Sequence, residues 1–355
     1  MTFVACVVLV SWSMAMQMNR RNAMLTAVAA LAMAACARDN DSREDGALDA
    51  DGGGGGPAGS SGTGGDLSVG VGVGGSSPDW CEDGPKLIYV TSNDNVLRTF
   101  DPTTLEFNTI GTIDCPITTS FSVNALAIGQ DGVAYVGNFY DGTLWKVSTS
   151  DASCEPTNFG LPDGTGPVCD VTPDECHRKF YGLAFASDAA RGGSETLYGS
   201  IRGEAPNLQG IYGEGLAKMG LPGYQITPIG DFTNGLAGGQ CSLTGTADGH
   251  LFGLFPYIGS NSPSTVVFAE IDKASGATSA PVDITNDLWA YLWYGGLAFW
   301  GGDIWFFTYK DSSGGSQVTR YRYSTDKSFT LEIPNTGFYV TGAAVSVCAP
   351  LTPPK

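Results

Sequence analysis

The chain has 355 residues, 50 of them glycine, and sets 36 acidic against 18 basic residues for a formal net charge of −18 with two histidines. Such acidity excludes nucleic acid and anionic lipid headgroups as charge-matched partners. A hydrophobic content of 42% supplies a sizeable core, and the length suits a leader plus one large domain rather than two.

In chain order, Asn19, Arg20 and Arg21 form a basic start, Ala23 to Ala32 an apolar core, and Met33, Ala34, Ala35 and Cys36 a small-residue box that ends in cysteine. In that order and spacing these elements resemble a bacterial lipoprotein signal. The resemblance implies cleavage before Cys36, lipid on its thiol and amine, and residence at the cell envelope. Ala37 after the cysteine implies the outer membrane or cell surface where there are two membranes. Met18 is the expected start, with residues 1–17 an extension or part of a long leader. Lipid at Cys36 supplies membrane affinity without a spanning helix. Residues 37–79 are Gly, Ser, Asp and Ala with few large apolar groups, so they are expected to stay disordered and act as a tether averaging about 35 Å.

From residue 80 to 350 the chain repeats. Apolar segments rich in β-branched and aromatic residues start at Leu87, Val133, Thr196, His250 and Asp303, spaced by roughly 46 to 63 residues. Before each of the last four comes another apolar strand with a Gly, Asp or Ala turn, starting at Ala125, Gly182, Ser242 and Gly296. Third strands follow from Asn95, Gly142, Gly215, Val266 and Val318. Outer strands follow from Glu106, near Thr157, and from Tyr224, Ala277 and Ser328. The first repeat lacks an inner strand, and GAAVSVCAP from Gly342 supplies one from the far end. The expected fold is therefore all-β: a five-bladed β-propeller closed by the C-terminal strand completing the first blade, with residues 351–355 a tail.

The first repeat also resembles the YVTN family of surface-protein propellers. Tyr89, Val90, Thr91, Asn95, Val96, Asp101, Thr104, Ile110 and Gly111 match its pattern, Ser92 stands where that family usually has Asn, and Asp272 to Gly276 is a fainter echo. The resemblance covers about one blade and implies the propeller fold and an extracytoplasmic habit; it carries no catalytic residue.

Cys81 just before the first second-strand and Cys348 at the end of the closing strand fall on one rim, so a Cys81–Cys348 disulfide is expected. In the chain-entropy account it contributes up to about 5 kcal/mol. An oxidising envelope favours two more, with Cys169 and Cys176 pinning a small loop and Cys115 with Cys154 completing the set, which leaves Cys241 over. No Cys or His spacing points to a metal site. Asp163, Asp170, Asp174 and Glu175 offer oxygen ligands for calcium, but in no recognised loop spacing, so a solvated acidic loop is the expectation.

The connections from outer to next inner strand and from second to third strand share one face, and the long ones lie there. Chain invested on one face suggests contact with something. Trp289, Tyr291, Trp293 and Tyr339, with Tyr140 and Tyr257, are the candidate ligand-binding aromatics, suited to sugar rings or peptide segments. In the alternative, Tyr291, Trp293 and Tyr294 plug the channel as packing. No acid/base or nucleophile set converges. Asp114, Asp231 and Asp287 approach the channel mouth from loops and are the catalytic candidates of a carbohydrate-active hydrolase or lyase. The expected function is a non-catalytic, lipid-anchored ligand-binding or protein-assembly module without a cofactor, its partner a carbohydrate or a protein.

Overall fold

The computed structural model describes residues 81–115, 123–138, 142–159, 179–190, 193–204, 211–257, 265–288, 295–309 and 314–354. Cys36, the 37–79 tether, Tyr140, Trp289, Tyr291, Trp293, Cys169, Cys176 and the acidic group from Asp163 to Glu175 lie outside them. All described residues belong to one compact unit, Val71–Lys355.

The repeated apolar segments become five four-stranded antiparallel sheets. The first holds β1 (Ile88–Ser92), β2 (Val96–Asp101) and β3 (Glu106–Thr112); the second holds β4 (Val123–Ile128), β5 (Val133–Asn138), β6 (Leu144–Ser148) and β7 (Cys154–Pro156). In the third are β8 (Lys179–Ser187), β9 (Glu195–Glu204), β10 (Ile211–Gly220) and β11 (Gln225–Gly230). The fourth has β12 (Gln240–Gly245), β13 (Leu251–Tyr257), β14 (Val267–Ile271) and β15 (Thr278–Asp283). After one helical turn, α1 (Thr285–Leu288), come β16 (Gly295–Trp300), β17 (Asp303–Tyr309), β18 (Ser316–Tyr321) and β19 (Phe329–Ile333) of the fifth.

The last strand, β20 (Val340–Ala344), pairs antiparallel with β1, setting Tyr89 against Ala344, Val90 against Ala343 and Thr91 against Gly342. It thereby completes the first sheet from the axial side. Inner strands β20, β4, β8, β12 and β16 each touch the next, and β16 returns to β20. The chain is a closed five-bladed propeller.

Closure explains why the second strands read as unbroken apolar runs. Each is covered on both faces by neighbouring blades, so every residue of β1 is buried. Alternate side chains then serve different seams: Ile88 and Val90 pack toward the fifth blade, whereas Tyr89 packs toward the second. Trp305 and Phe307 likewise face the first blade, while Ile304 and Phe306 face the fourth. The core is thus divided among five interblade seams rather than gathered at one centre.

Outer strands are exposed, and three of them carry a proline, Pro156, Pro228 and Pro281, which denies a neighbouring chain a regular edge to pair with. Four of the five third-to-outer hairpins share one device. Asp101 Oδ1 accepts from the backbone and hydroxyl of Thr103, Asp151 from those of Ser153, Asp272 from those of Ser275, and Asp326 from those of Ser328. Such Asp-centred turns fix the hairpin locally. The echo between Asp101 and Asp272 seen in the sequence is this turn.

The seam between the fifth and first blades is bound several ways. Trp300 Nε1 donates to the Lys86 carbonyl at 2.7 Å. Cys81 and Cys348 form a disulfide across 267 residues, with Cα atoms 5.2 Å apart. One sequence expectation needs correction here. The closing strand ends at Ala344, and Cys348 lies four residues beyond it because the chain turns at Ser346, whose carbonyl accepts from Ala349 N at 2.9 Å. The outer strand of the second blade, Cys154–Pro156, is short and lies next to Thr157, where the sequence placed it.

Candidate functional site

Glycine and alanine on the inner strands decide what the axis can do. A Cβ built on Gly182 would stand 2.3 Å from the Cys241 carbonyl of the next blade, and one on Gly296 would stand 2.5 Å from Ala343 N. Neighbouring inner strands therefore approach to backbone contact. Together with Leu126, Leu183, Leu243 and Ser242 they narrow the axis to a space of about 10 Å³, about one water molecule.

On the long-loop face, the segment before β20 is firmly held. Asn93 N donates to the Tyr339 carbonyl at 2.9 Å, and Tyr339 N returns a bond to Asn93 Oδ1 at 3.4 Å. The half-buried Tyr339 ring meets Tyr309 edge-on at 5.2 Å. Its neighbour Phe338 lies under the Arg98 guanidinium at 4.2 Å and against Phe107 at 5.2 Å. Arg98 is paired in turn with Asp94 at 3.0 Å, and this partner holds the Asp94 carboxyl below its usual range.

The stem of the aromatic 289–294 loop is equally fixed. Thr285 N and Oγ1 bond to Asp283 Oδ1, Thr285 Oγ1 accepts from Val266 N at 2.8 Å, and Gln317 Nε2 donates to the carbonyl of the fully buried Leu288 at 2.9 Å. The chain is thus firmly held as far as Leu288. Tyr257 closes β13.

The three carboxylate candidates are differently employed. Asp231 is exposed and its Oδ1 accepts from Phe232 N at 2.8 Å and from Gly238 N at 3.3 Å, so it organises its own loop. Asp114 is exposed beside the Cys115–Cys154 disulfide, which ties the loop leaving the first blade to the outer strand of the second. Asp287 sits on α1. Cys241 is a buried free thiol, its pKa raised by burial. Among the described residues, no group of three or more His, Cys, Asp or Glu could hold a metal ion, and no helix is long and apolar enough to cross a membrane.

The opposite face has short turns and one feature that sequence reasoning missed. A cleft of about 620 Å³ lies between the first and second blades, walled by Glu82, Asp83, Tyr89, Asp131, Gly132 and Thr149 among others. Its walls come from three separate stretches of chain, so no local motif announces it. Beyond the 129–132 turn stands Glu195, whose Oε1 accepts from Gln130 N at 2.9 Å. Burial, above all, pushes its carboxyl up to about 7, with Asp131 and Asp188 adding to the shift against the Gln130 hydrogen bond.

No family model matches the chain, and no curated protein sequence does. Among solved structures it is similar to a protein of unknown function from Bacteroides caccae, with 10% identity, 73% of this chain and 98% of that chain covered, and a TM-score of 0.38. The nidogen/laminin complex gives 10% identity, 75% and 100% coverage and a TM-score of 0.40. TolB from Acinetobacter baumannii gives 12% identity, 71% and 53% coverage and a TM-score of 0.36. Likeness at this level carries no argument about family or activity.

Proposed function

We propose that this propeller is a non-catalytic binding or assembly module, held at the cell envelope by lipid on Cys36 and making contact through its long-loop face. The observation that supports this most is the sealed axis. Glycine, alanine and leucine line the inner strands around about 10 Å³, and among the described residues no inner-strand carboxylate flanks that space. Recognition then falls to the face. There, Tyr339 and the stem of the 289–294 loop are pre-positioned by backbone bonds, which lowers the entropy lost on binding.

The mature chain is tested against a polysaccharide array and, separately, by crosslinking in cells. Saturable binding without turnover, lost in Trp289→Ala or Trp293→Ala, supports a carbohydrate ligand. A protein crosslink from the same loop supports assembly. Turnover that disappears in Asp231→Asn or Asp287→Asn would make the chain a hydrolase or lyase and overturn the proposal. Fatty-acid labelling that vanishes in Cys36→Ser tests the anchor.

A further inference from the structure

We propose that Glu195 is a proton-operated latch between the second and third blades: protonated, it holds the 129–132 turn, and ionised, it releases that turn and opens the cleft the turn walls. The latch has two points. Glu195 Oε1 accepts from the Gln130 backbone at 2.9 Å, and Gln130 Nε2 donates to the Gly193 carbonyl at 3.2 Å, so the third blade grips one residue of the second from both sides of β9's start. Both bonds cross a blade boundary.

The other carboxyl oxygen sets the chemistry. Glu195 Oε2 is buried and has no hydrogen-bond partner. Asp131, on the gripped turn, and Asp188, on the turn of the third blade, are the charged groups that face it, and both oppose its ionisation. The Asp188 carboxylate accepts from Thr196 Oγ1 at 2.6 Å. Ionising Glu195 therefore puts a charge on an undonated oxygen between two like charges. A protonated carboxyl keeps the Gln130 bond without that penalty.

The gripped turn has a second role. Gln130, Asp131 and Gly132 form one wall of the cleft of about 620 Å³, facing Glu82, Asp83 and Tyr89 of the first blade. Gly132 is also held by its own blade, its carbonyl accepting from Thr149 Oγ1 at 2.6 Å. Gly129 N also donates to the Val133 carbonyl at 2.8 Å and Gly132 N to the Gly129 carbonyl at 3.1 Å, so release at Gln130 leaves the turn intact on its own hairpin and frees the cleft wall to tilt with it.

The sign follows from linkage. The folded carboxyl titrates at about 7, above the 4.5 of a free glutamate side chain. Between these values the unfolded chain gives up the proton and the folded one retains it. The contribution is thus complete below the unfolded value and lost as pH rises through the folded one, the unfolding constant growing by about tenfold per pH unit in that window.

The test uses the mature chain and Glu195→Gln, which keeps the acceptor but cannot ionise. The expected result is a Tm advantage of the variant that is small at pH 5 and reaches about 5 °C or more at pH 8. On the unsubstituted chain, hydrogen-exchange protection of the Gln130 amide, corrected for intrinsic rate, is expected to fall at least tenfold between pH 6 and pH 8, about one pH unit's worth of ionisation. A Tm offset that is the same at both pH values, or Gln130 protection unchanged over that range, overturns the latch. The second measurement needs no substitution, so a variant that fails to fold leaves the proposal exposed to refutation.

Discussion

Replacing Gly296 by alanine tests whether the axis is sealed. The added Cβ would lie 2.5 Å from Ala343 N, 2.9 Å from Ala343 Cβ and 3.1 Å from its Cα. Ordinary contact begins near 3.4 Å, so β16 and β20 must part by several tenths of an ångström or more. Backbone cannot swing aside as a flexible side chain does. Moreover, β20 is pinned on its other side: a Cβ at Gly342 would already meet Thr91 Oγ1 at 2.9 Å and Leu126 Cβ at 3.4 Å. Overpacking of this kind costs about 1–3 kcal/mol. At about 2–4 °C per kcal/mol for a domain of this size, Tm should drop by about 2–12 °C. The control is Gly223→Ala, where a Cβ meets nothing within 4 Å and φ is not positive. That change should be neutral or slightly stabilising, by up to about 1 kcal/mol. Thermal unfolding by near-ultraviolet circular dichroism reads both. If the two variants melt together, the inner strands do not approach as described and the sealed-axis argument fails.

Two further outcomes are expected. Replacing Cys81 and Cys348 by serine should lower Tm more than replacing Cys115 and Cys154, because the bridges span 267 and 39 residues and contribute about 5 and about 4 kcal/mol respectively in the chain-entropy account; the reverse order in calorimetry would mean that closure rests on β20 pairing and the seam rather than on the clasp. Three of the hairpin aspartates, Asp151, Asp272 and Asp326, work in the opposite pH direction to Glu195. Hydrogen bonds from Ser275 above all hold the Asp272 carboxyl below its usual value, so its contribution is present above the unfolded value of about 3.9 and is lost as pH falls through the lower folded one. Asp272→Asn should therefore be less stable than the unsubstituted chain at pH 7, by a margin that shrinks as pH falls below about 3.9; a Tm difference that does not vary with pH would contradict this.

Most of the fold was legible because one physical constraint repeats. A second strand buried on both faces needs the unbroken apolar runs at Leu87, Val133, Thr196, His250 and Asp303, and a closed ring needs a partner for β1, which the tail supplies. The Cys81–Cys348 disulfide could be read from the same topology, whereas Cys115–Cys154 followed only as the pair that completed the set. Strand ends were less legible: Cys348 was placed at the end of β20 because GAAVSVCAP stays apolar past Ala344, whereas the chain there turns back toward Cys81. The Asp-centred hairpins were only half visible, since Asp101 and Asp272 stood out while Asp151 and Asp326 lie in stretches with no other likeness. Nothing local could mark Glu195. Its raised carboxyl arises above all from burial at a boundary that exists only once the second and third blades pack, with Asp131, more than 60 positions away, adding to the shift.

Hydrogen exchange of the tail strand, read by mass spectrometry on the mature chain, tests ring closure most directly. Amides of Val340–Ala344 should exchange as slowly as those of Ile88–Ser92 and together with them, since the two strands share one ladder. A tail that exchanges like a free terminus while β1 stays protected would contradict the closed ring and the function proposed from it.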